Sequence, residues 1–269
     1  MSRILSSIDG RKSGHDVDGK LISLKGFRSG AHGKQIDLPS VDRVAFFDDF
    51  LGDVIADQWN YVEGTDASPT AGATLSGGIG GVLQFSTGDA GTGLAADLAQ
   101  VTMDYQWQAS NGGLAMQARV KTDRITVFYA FIGFTDLSTL EAPVIAATGT
   151  TITTNATDAV GFLFDTGFTT DNWKLVGVAT DTDATFQDSG VAPVADDYAT
   201  YRVEITAAGV ATFFINGVQV GTSMTGAVAV AADLTPTLAF GNLSGTDPAL
   251  VDVDYVHVAM NRAVDGGAV

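Results

Sequence analysis

The chain has 269 residues with no cysteine, 32 glycines, six prolines, 14 Lys and Arg against 31 Asp and Glu, and a charged fraction of 17%. Without thiols it can form no disulfide staples, thiolate zinc sites, iron–sulfur clusters or cysteine nucleophiles. No apolar run approaches the ~20 residues that span a bilayer, and Ile4-Leu5 among serines is too short for the apolar stretch of a secretion signal, so neither feature is expected.

Charge is unevenly placed. Residues 1–43 carry eight Lys and Arg (Arg3, Arg11, Lys12, Lys20, Lys25, Arg28, Lys34, Arg43) against five Asp (Asp9, Asp16, Asp18, Asp37, Asp42), a net of +3. The remainder has six Lys and Arg against 26 Asp and Glu, a net of −20. A body this acidic repels phosphate backbones, which argues against nucleic acid as its partner. Large apolar residues in 1–43 are few and isolated (Leu21, Ile22, Leu24, Phe27, Ile36, Leu38), with no sustained period of 2 or 3.6. Such a segment cannot build its own core. It reads either as an extended arm that orders on a partner or as a floppy terminus.

From Val44 onward the pattern is strand after strand. Val44 to Phe50 (VAFFDDF) opens it, and Gly81 to Ser86 (GVLQFS) is short and Gly-bounded. Leu114 to Lys121 places Leu114, Met116, Ala118 and Val120 on one face and Ala115, Gln117, Arg119 and Lys121 on the other, a strand with one core face and one wet face. Ile125 to Phe134 (ITVFYAFIGF) is apolar at nearly every position, as in a strand buried on both faces. Ala142 to Asp158 is a low-complexity stretch that reads as one more Thr-rich strand with a long loop. Ala159 to Asp165, Trp173 to Thr180 and Tyr198 to Thr206 follow, the last with Tyr201, Val203 and Ile205 inward and Arg202 and Glu204 outward. Ala207-Ala208-Gly209 turns into Val210 to Ile215, and Asn216-Gly217 is a two-residue hairpin signal before Val218 to Val220. Thr237 to Gly241 and Leu250 to Met260 close the series, with His257 expected on the face of Val251, Val253 and Tyr255. More than ten short strands without intervening helices indicate an all-β sandwich or barrel.

The order of landmarks resembles the concanavalin A-like lectin/glucanase jelly roll, including the laminin-G-like modules of tailed-phage virion proteins. Those landmarks are FFDDF followed by Asp57-Gln58-Trp59, the middle GFLFDT and WKLVGV, then YRVEITAAGVATFFINGVQVGT and the closing VDVDYVHV. The resemblance covers residues 44–262 and implies a two-sheet antiparallel jelly-roll sandwich whose concave sheet often binds ligand. Residues 1–43 would be an extended basic arm and 263–269 a flexible tail. The arm, ending in GAHGKQIDLP, also resembles the N-terminal segments of phage head-associated proteins.

For the glucanase branch, the resemblance implies two glutamates flanking an aspartate on one strand, because retaining hydrolysis needs a nucleophile and an acid about 5 Å apart. Glu63, Glu141 and Glu204 are the only glutamates and stand far apart, and no Glu-x-Asp-x-Glu pattern exists. Asp252 and Asp254 share a face of the last strand, where a solvated pair is the plainer reading. Gly-x-Ser-x-Gly, His-Glu-x-x-His and phosphate-cradling Gly motifs are absent, so a non-enzymatic protein is expected. His15-Asp16-Val17-Asp18-Gly19 and Asp181-Thr182-Asp183 alternate oxygen ligands, yet neither completes a helix-loop calcium site: in the second, Phe186 stands at the glycine position and Ala192 at the bidentate Glu position. A loop calcium is what lectin-like relatives imply; Asp-rich turns also form for local hydrogen bonding alone. No other cofactor is expected. Trp59 and Trp173 are expected in the core, and Trp107, in YQWQAS, is expected at the surface as a ligand-stacking aromatic.

These readings converge on a structural virion protein decorating or cementing a phage capsid exterior. Its partners would be the major capsid protein and neighbouring copies of itself, in a trimer. Leu21, Ile22, Leu24, Lys25, Phe27 and Arg28 would form the docking arm. The alternatives are a carbohydrate- or receptor-binding fibre or adhesin module, with a glycan as ligand, and, third, a glycosidase-like enzyme.

Overall fold

In the computed structural model, which describes residues 43–262 apart from 53–54, 64–71, 77–80, 89–93, 138–141 and 245–246, the alternation read from sequence becomes two antiparallel sheets packed face to face. The first sheet runs in the order β16 (Val218–Met224), β15 (Ala211–Ile215), β14 (Ala199–Ile205), β6 (Leu114–Thr122), β18 (Leu250–Asn261), β4 (Val82–Ser86) and β3 (Gly72–Ser76), with β1 (Arg43–Asp48) also on β18. The second runs β12 (Thr182–Asp183), β11 (Lys174–Ala179), β10 (Ala159–Asp165), β7 (Phe128–Thr135), β17 (Thr235–Asn242), β5 (Ala99–Thr102) and β2 (Asn60–Glu63), with β13 (Gln187–Asp188) on β11. A separate hairpin, β8 (Ile145–Thr148) and β9 (Thr151–Thr154), a single turn of helix, α1 (Leu94–Asp97), and a 3-10 turn at Ala109–Asn111 complete the described elements. No helix among the described residues is long and apolar enough to cross a membrane. The order of strands is that of the expected jelly-roll sandwich.

Aromatic rings bolt the sheets together. On one side Phe162 of β10 meets Tyr201 of β14 and Phe213 of β15, both at 5.5 Å between centroids. On the other, Phe85 of β4 meets Phe240 of β17 edge-on at 5.0 Å. Edge-to-face pairs of this kind add roughly 0.5–1.5 kcal/mol each beyond the area they bury. Trp59 and Trp173 lie in this core, as expected. Trp59 also donates its indole N–H to Asp48 Oδ2 at 2.9 Å, tying the chain after β1 back to that strand.

Three strand readings need correction. The strand expected from Ile125 begins at Phe128, because Val127 has φ of +56°, a left-handed conformation that breaks a regular strand. The stretch 142–158 is a hairpin rather than a strand and a loop. Most consequential is β18: its register on β6 passes from Val253 opposite Val120 to Tyr255 opposite Arg119, so one extra residue is inserted. Such a bulge reverses the parity of everything beyond it. Tyr255 and His257 therefore point outward with Asp252 and Asp254, and Val256 and Val258 take the inward places.

The second sheet is buried on both faces. A second apolar cluster on its outer side packs Tyr129, Phe131, Leu163, Val176 and Val178 against Val144, Ile145 and Ala156 of the hairpin region. At the edge of this layer sits Lys174, 2% exposed, whose ammonium donates to Asp188 Oδ2 at 2.7 Å and Thr170 Oγ1 at 2.6 Å. Burial pushes the Asp188 carboxyl up, but Lys174, the Gly190 N–H and the Asn172 amide outweigh it and hold the group at about 2.

Two outcomes follow from this packing. Phe131→Ala is expected to cost roughly 3–5 kcal/mol in denaturant unfolding, as for a fully buried ring. Because the folded pKa of Asp188 lies below its ordinary 3.8, its contribution is complete above that pH and is lost as pH falls toward about 2. Asp188→Asn, which leaves the buried ammonium with Thr170 but no counter-charge, should cost about 1–2 kcal/mol near neutrality, less than for a fully buried pair because the Asp188 side chain is 40% exposed. The gap from the native chain should close between about pH 4 and pH 2, and a gap that stays constant across that range would disprove the pairing.

Candidate functional site

The outer face of the second sheet is where the strands bring polar side chains together. Registers place Gln100 of β5 opposite Ala239 of β17, and Thr102 opposite Thr237. Thr237 is in turn opposite Gly133 of β7, and Gly133 opposite Gly161 of β10. This row therefore passes from two threonines on to bare backbone. The backbone is bare of necessity: a Cβ on Gly133 would come within 2.2 Å of the Val160 carbonyl, and one on Gly161 within 2.4 Å of that of Ile132. Only glycines allow β7 and β10 to approach so closely.

Gln100 is 1% exposed and Thr102 fully buried, yet among the described residues neither Gln100 Nε2 nor Thr102 Oγ1 has a hydrogen-bond partner. A buried polar atom left unpaired costs about 1–3 kcal/mol, so two on one strand make an unusual feature. The hydroxyls beside them are used locally. Thr135 Oγ1 accepts from the Leu137 N–H at 3.1 Å, and Thr237 Oγ1 donates to the Thr235 carbonyl at 3.3 Å.

Several carboxylates among the described residues border this face. Asp165, at the end of β10, accepts from the Gly167 N–H at 2.7 Å and the Ala147 N–H at 2.8 Å, which fastens the β8–β9 hairpin to the sheet. Burial pushes its pKa up, and the two N–H groups oppose that shift. Asp136, just past β7, is also raised, first by burial and further by the neighbouring Asp158. Asp158 itself accepts from the Thr180 and Ala229 N–H groups. Glu204, the one glutamate whose side chain is described, lies on the other sheet and pairs with Arg202 at 2.8 Å.

At the open end where β12 and β13 come near β16, a groove of about 410 Å³ is lined by residues including Thr182, Asp183, Gln187 and Ser223. Gln187 bridges the two sheets there, accepting from the Thr222 N–H at 2.8 Å and donating to its carbonyl at 3.1 Å. Asp183 accepts from Thr154 Oγ1 instead of facing other carboxylates. No group of three His, Asp or Glu that could hold a metal occurs among the described residues.

Of the site residues expected from sequence, Trp107 is corrected. It is 4% exposed, part of the inter-sheet core, and bridged through its backbone to Leu234, because its alternation with Ala109 turns the ring inward. Leu21, Ile22, Leu24, Lys25, Phe27 and Arg28 lie outside the described residues, as do His15, Asp16 and Asp18. Gln100 and Thr102 escaped sequence reasoning, since a single Gln or Thr in the short run AQVT carries no motif.

No protein-family model and no curated protein matches the sequence. Solved structures do share its fold. A Bacillus licheniformis β-glucanase is 12% identical with a TM-score of 0.55, covering 80% of this chain and 97% of its own. The catalytic domain of an endo-1,3-β-glucanase (laminarinase) from Thermotoga petrophila RKU-1 is 11% identical with a TM-score of 0.54, covering 81% and 97%. A Shewanella oneidensis MR-1 protein of unknown function is 11% identical with a TM-score of 0.52, covering 86% and 93%. Identities this low establish the fold alone: a concanavalin A-like jelly roll of the glucanase type. The expectation of a non-enzymatic chain is overturned by these neighbours, because the architecture is one on which glycosidic bonds are cleaved. That expectation rested on missing sequence motifs, the Glu-x-Asp-x-Glu spacing first among them. Hydrolysis requires a separation between two carboxyls, which residues distant in sequence can also supply.

Thr102→Val tests the polar row directly. If the hydroxyl is unpaired in a dry site, its replacement by an isosteric methyl should raise unfolding stability by about 1 kcal/mol. A loss of similar size would show that the hydroxyl is hydrogen-bonded in solution.

Proposed function

We propose that this chain is a structural protein of a tailed-phage virion, displayed on the capsid exterior and attached to the major capsid protein partly through residues 1–43. What carries the reading is the division of charge: +3 in residues 1–43 against −20 in the remainder. A strongly acidic sandwich stays soluble, whereas a basic segment with scattered anchors at Leu21, Ile22, Leu24 and Phe27 suits threading along another protein's surface. Lys25 and Arg28 would supply charge beside those anchors. The resemblance of residues 1–43 to segments of phage head-associated proteins supports the same reading.

A second reading, a carbohydrate-engaging module, is favoured by a different observation. The fold is shared with glucanases.

One experiment separates the two. Deleting residues 1–43 is expected to leave a folded sandwich that no longer joins particles, while substituting Leu24 and Phe27 with Ser in the full chain should abolish attachment that moderate salt leaves intact. Normal incorporation of both variants would place attachment in the sandwich, and failure of the full chain to join particles would refute the capsid reading. Binding to, or release of reducing ends from, mixed-linkage β-glucan or laminarin by the purified chain would establish the second.

A further inference from the structure

The outer face of the first sheet is unlike the rest of this acidic body. Across five neighbouring strands the registers align Phe47 of β1, His257 of β18, Gln117 of β6, Arg202 of β14 and Phe214 of β15 in one row. Beside it, Tyr255 lies opposite Arg119. Of the six Lys and Arg in residues 44–269, three (Arg119, Lys121 and Arg202) stand on this face, with Arg43 at its margin. Each of the three meets an acid: Arg119 with Asp254 at 2.6 Å, Lys121 with Asp252 at 2.7 Å, Arg202 with Glu204 at 2.8 Å. The face is thus close to neutral, and the excess of acid lies elsewhere.

It is also pre-ordered. Arg119 lies over the Tyr198 ring at 4.2 Å and Arg202 over that of Phe214 at 4.1 Å. Gln117 donates to the Tyr255 hydroxyl at 2.7 Å, and Phe47 sits 5.9 Å from the Tyr255 ring. Long side chains held in this way lose little rotamer freedom on association, which lowers one of the main costs of binding. Phe47, an aromatic anchor 59% exposed to solvent, surmounts this layer. Exposed aromatics and arginines with few unpaired charges are the composition of interface cores.

We propose that this face docks a second copy of the same chain, sheet against sheet, about a two-fold axis. Charge complementarity selects that occupant. Basic and acidic groups alternate along the face, and a two-fold operation can set each sign against its opposite, which makes the surface self-complementary. It is also where two bodies, each carrying −20, meet with least repulsion. A polyanion would find the cations already paired, and a cationic protein would be drawn to the acidic surfaces instead. Five strands about 4.8 Å apart and some seven residues of rise at about 3.4 Å give a footprint of roughly 600 Å² per copy. The total, about 1,200 Å², meets the lower bound of specific interfaces. The pairing is two-fold, in place of the trimer expected from sequence, and does not depend on where the protein is carried.

The absence of cysteine makes the test clean. In sedimentation equilibrium of the full chain, a monomer–dimer equilibrium is expected, and Phe47→Asp should weaken it at least about tenfold with an unchanged melting curve. A bifunctional maleimide should capture dimers of Gln117→Cys and none of Thr151→Cys, which lies on the exposed β9. A monomer at every concentration would overturn the proposal, as would a dimer unaffected by Phe47→Asp or failure of Gln117→Cys to crosslink. Glycan binding by a monomer, lost in Phe47→Asp, would assign the face to a sugar and overturn it equally.

Discussion

Much of this molecule depends on how one strand pairs. β18 lies between β6 on one side and β4 and β1 on the other, and its twelve residues hold the first sheet in one piece. A strand's side chains alternate strictly, so a single inserted residue decides which of them reach the core. The bulge at Asp254 and Tyr255 sends Val256 and Val258 inward to the inter-sheet core and leaves Tyr255 and His257 outside. Burial and the nearby Arg43 depress the His257 pKa, which favours the neutral imidazole on that outer face.

The two outer faces of the sandwich are finished differently. On the second sheet the chain covers itself: the β8–β9 region supplies Val144, Ile145 and Ala156 to an apolar layer, and Asp165 anchors it through two backbone N–H groups. On the first sheet no such layer exists among the described residues, and long side chains lie across the strands in ion pairs and ring contacts instead. One face is closed by burial and the other by polar pairing. The covered sheet keeps its polar side chains Gln100 and Thr102 buried, whereas the uncovered sheet presents a broad surface.

How much of this was legible in the sequence varies with the range of the interaction that decides it. Local alternation was enough for β6 and β14, where Met116, Ala118, Tyr201 and Val203 face inward as expected. A uniformly apolar run was enough to identify β7 as buried on both faces. Beyond that, pairing decides. Phe214 looks as much a core residue as Phe213, yet it lies on the outer face against Arg202, because β15 alternates between the two. Trp107 sits among polar neighbours that suggest a surface position, and a backbone bridge to Leu234 draws it inside. No local signal announces the bulge in β18, which exists only in relation to β6. Gln100 and Thr102 illustrate the same limit for the candidate site, since their isolation follows from which strands flank β5.

The placement of β18 also sets the order in which the protein can assemble. The second sheet draws its described strands from residues 60–242, so it can be complete before β18 is made. The first sheet cannot, because β6 and β4 meet only through the strand that follows them by more than a hundred residues. Closing so long a loop is entropically slow, and sandwiches dominated by non-local pairing fold in milliseconds to seconds. Until β18 arrives, β4 and β6 each present an unpaired edge, and edges of this kind recruit other chains. A net charge of −18 on residues 44–249 then acts on the nascent protein, keeping half-built sandwiches apart during the interval in which they are most adhesive.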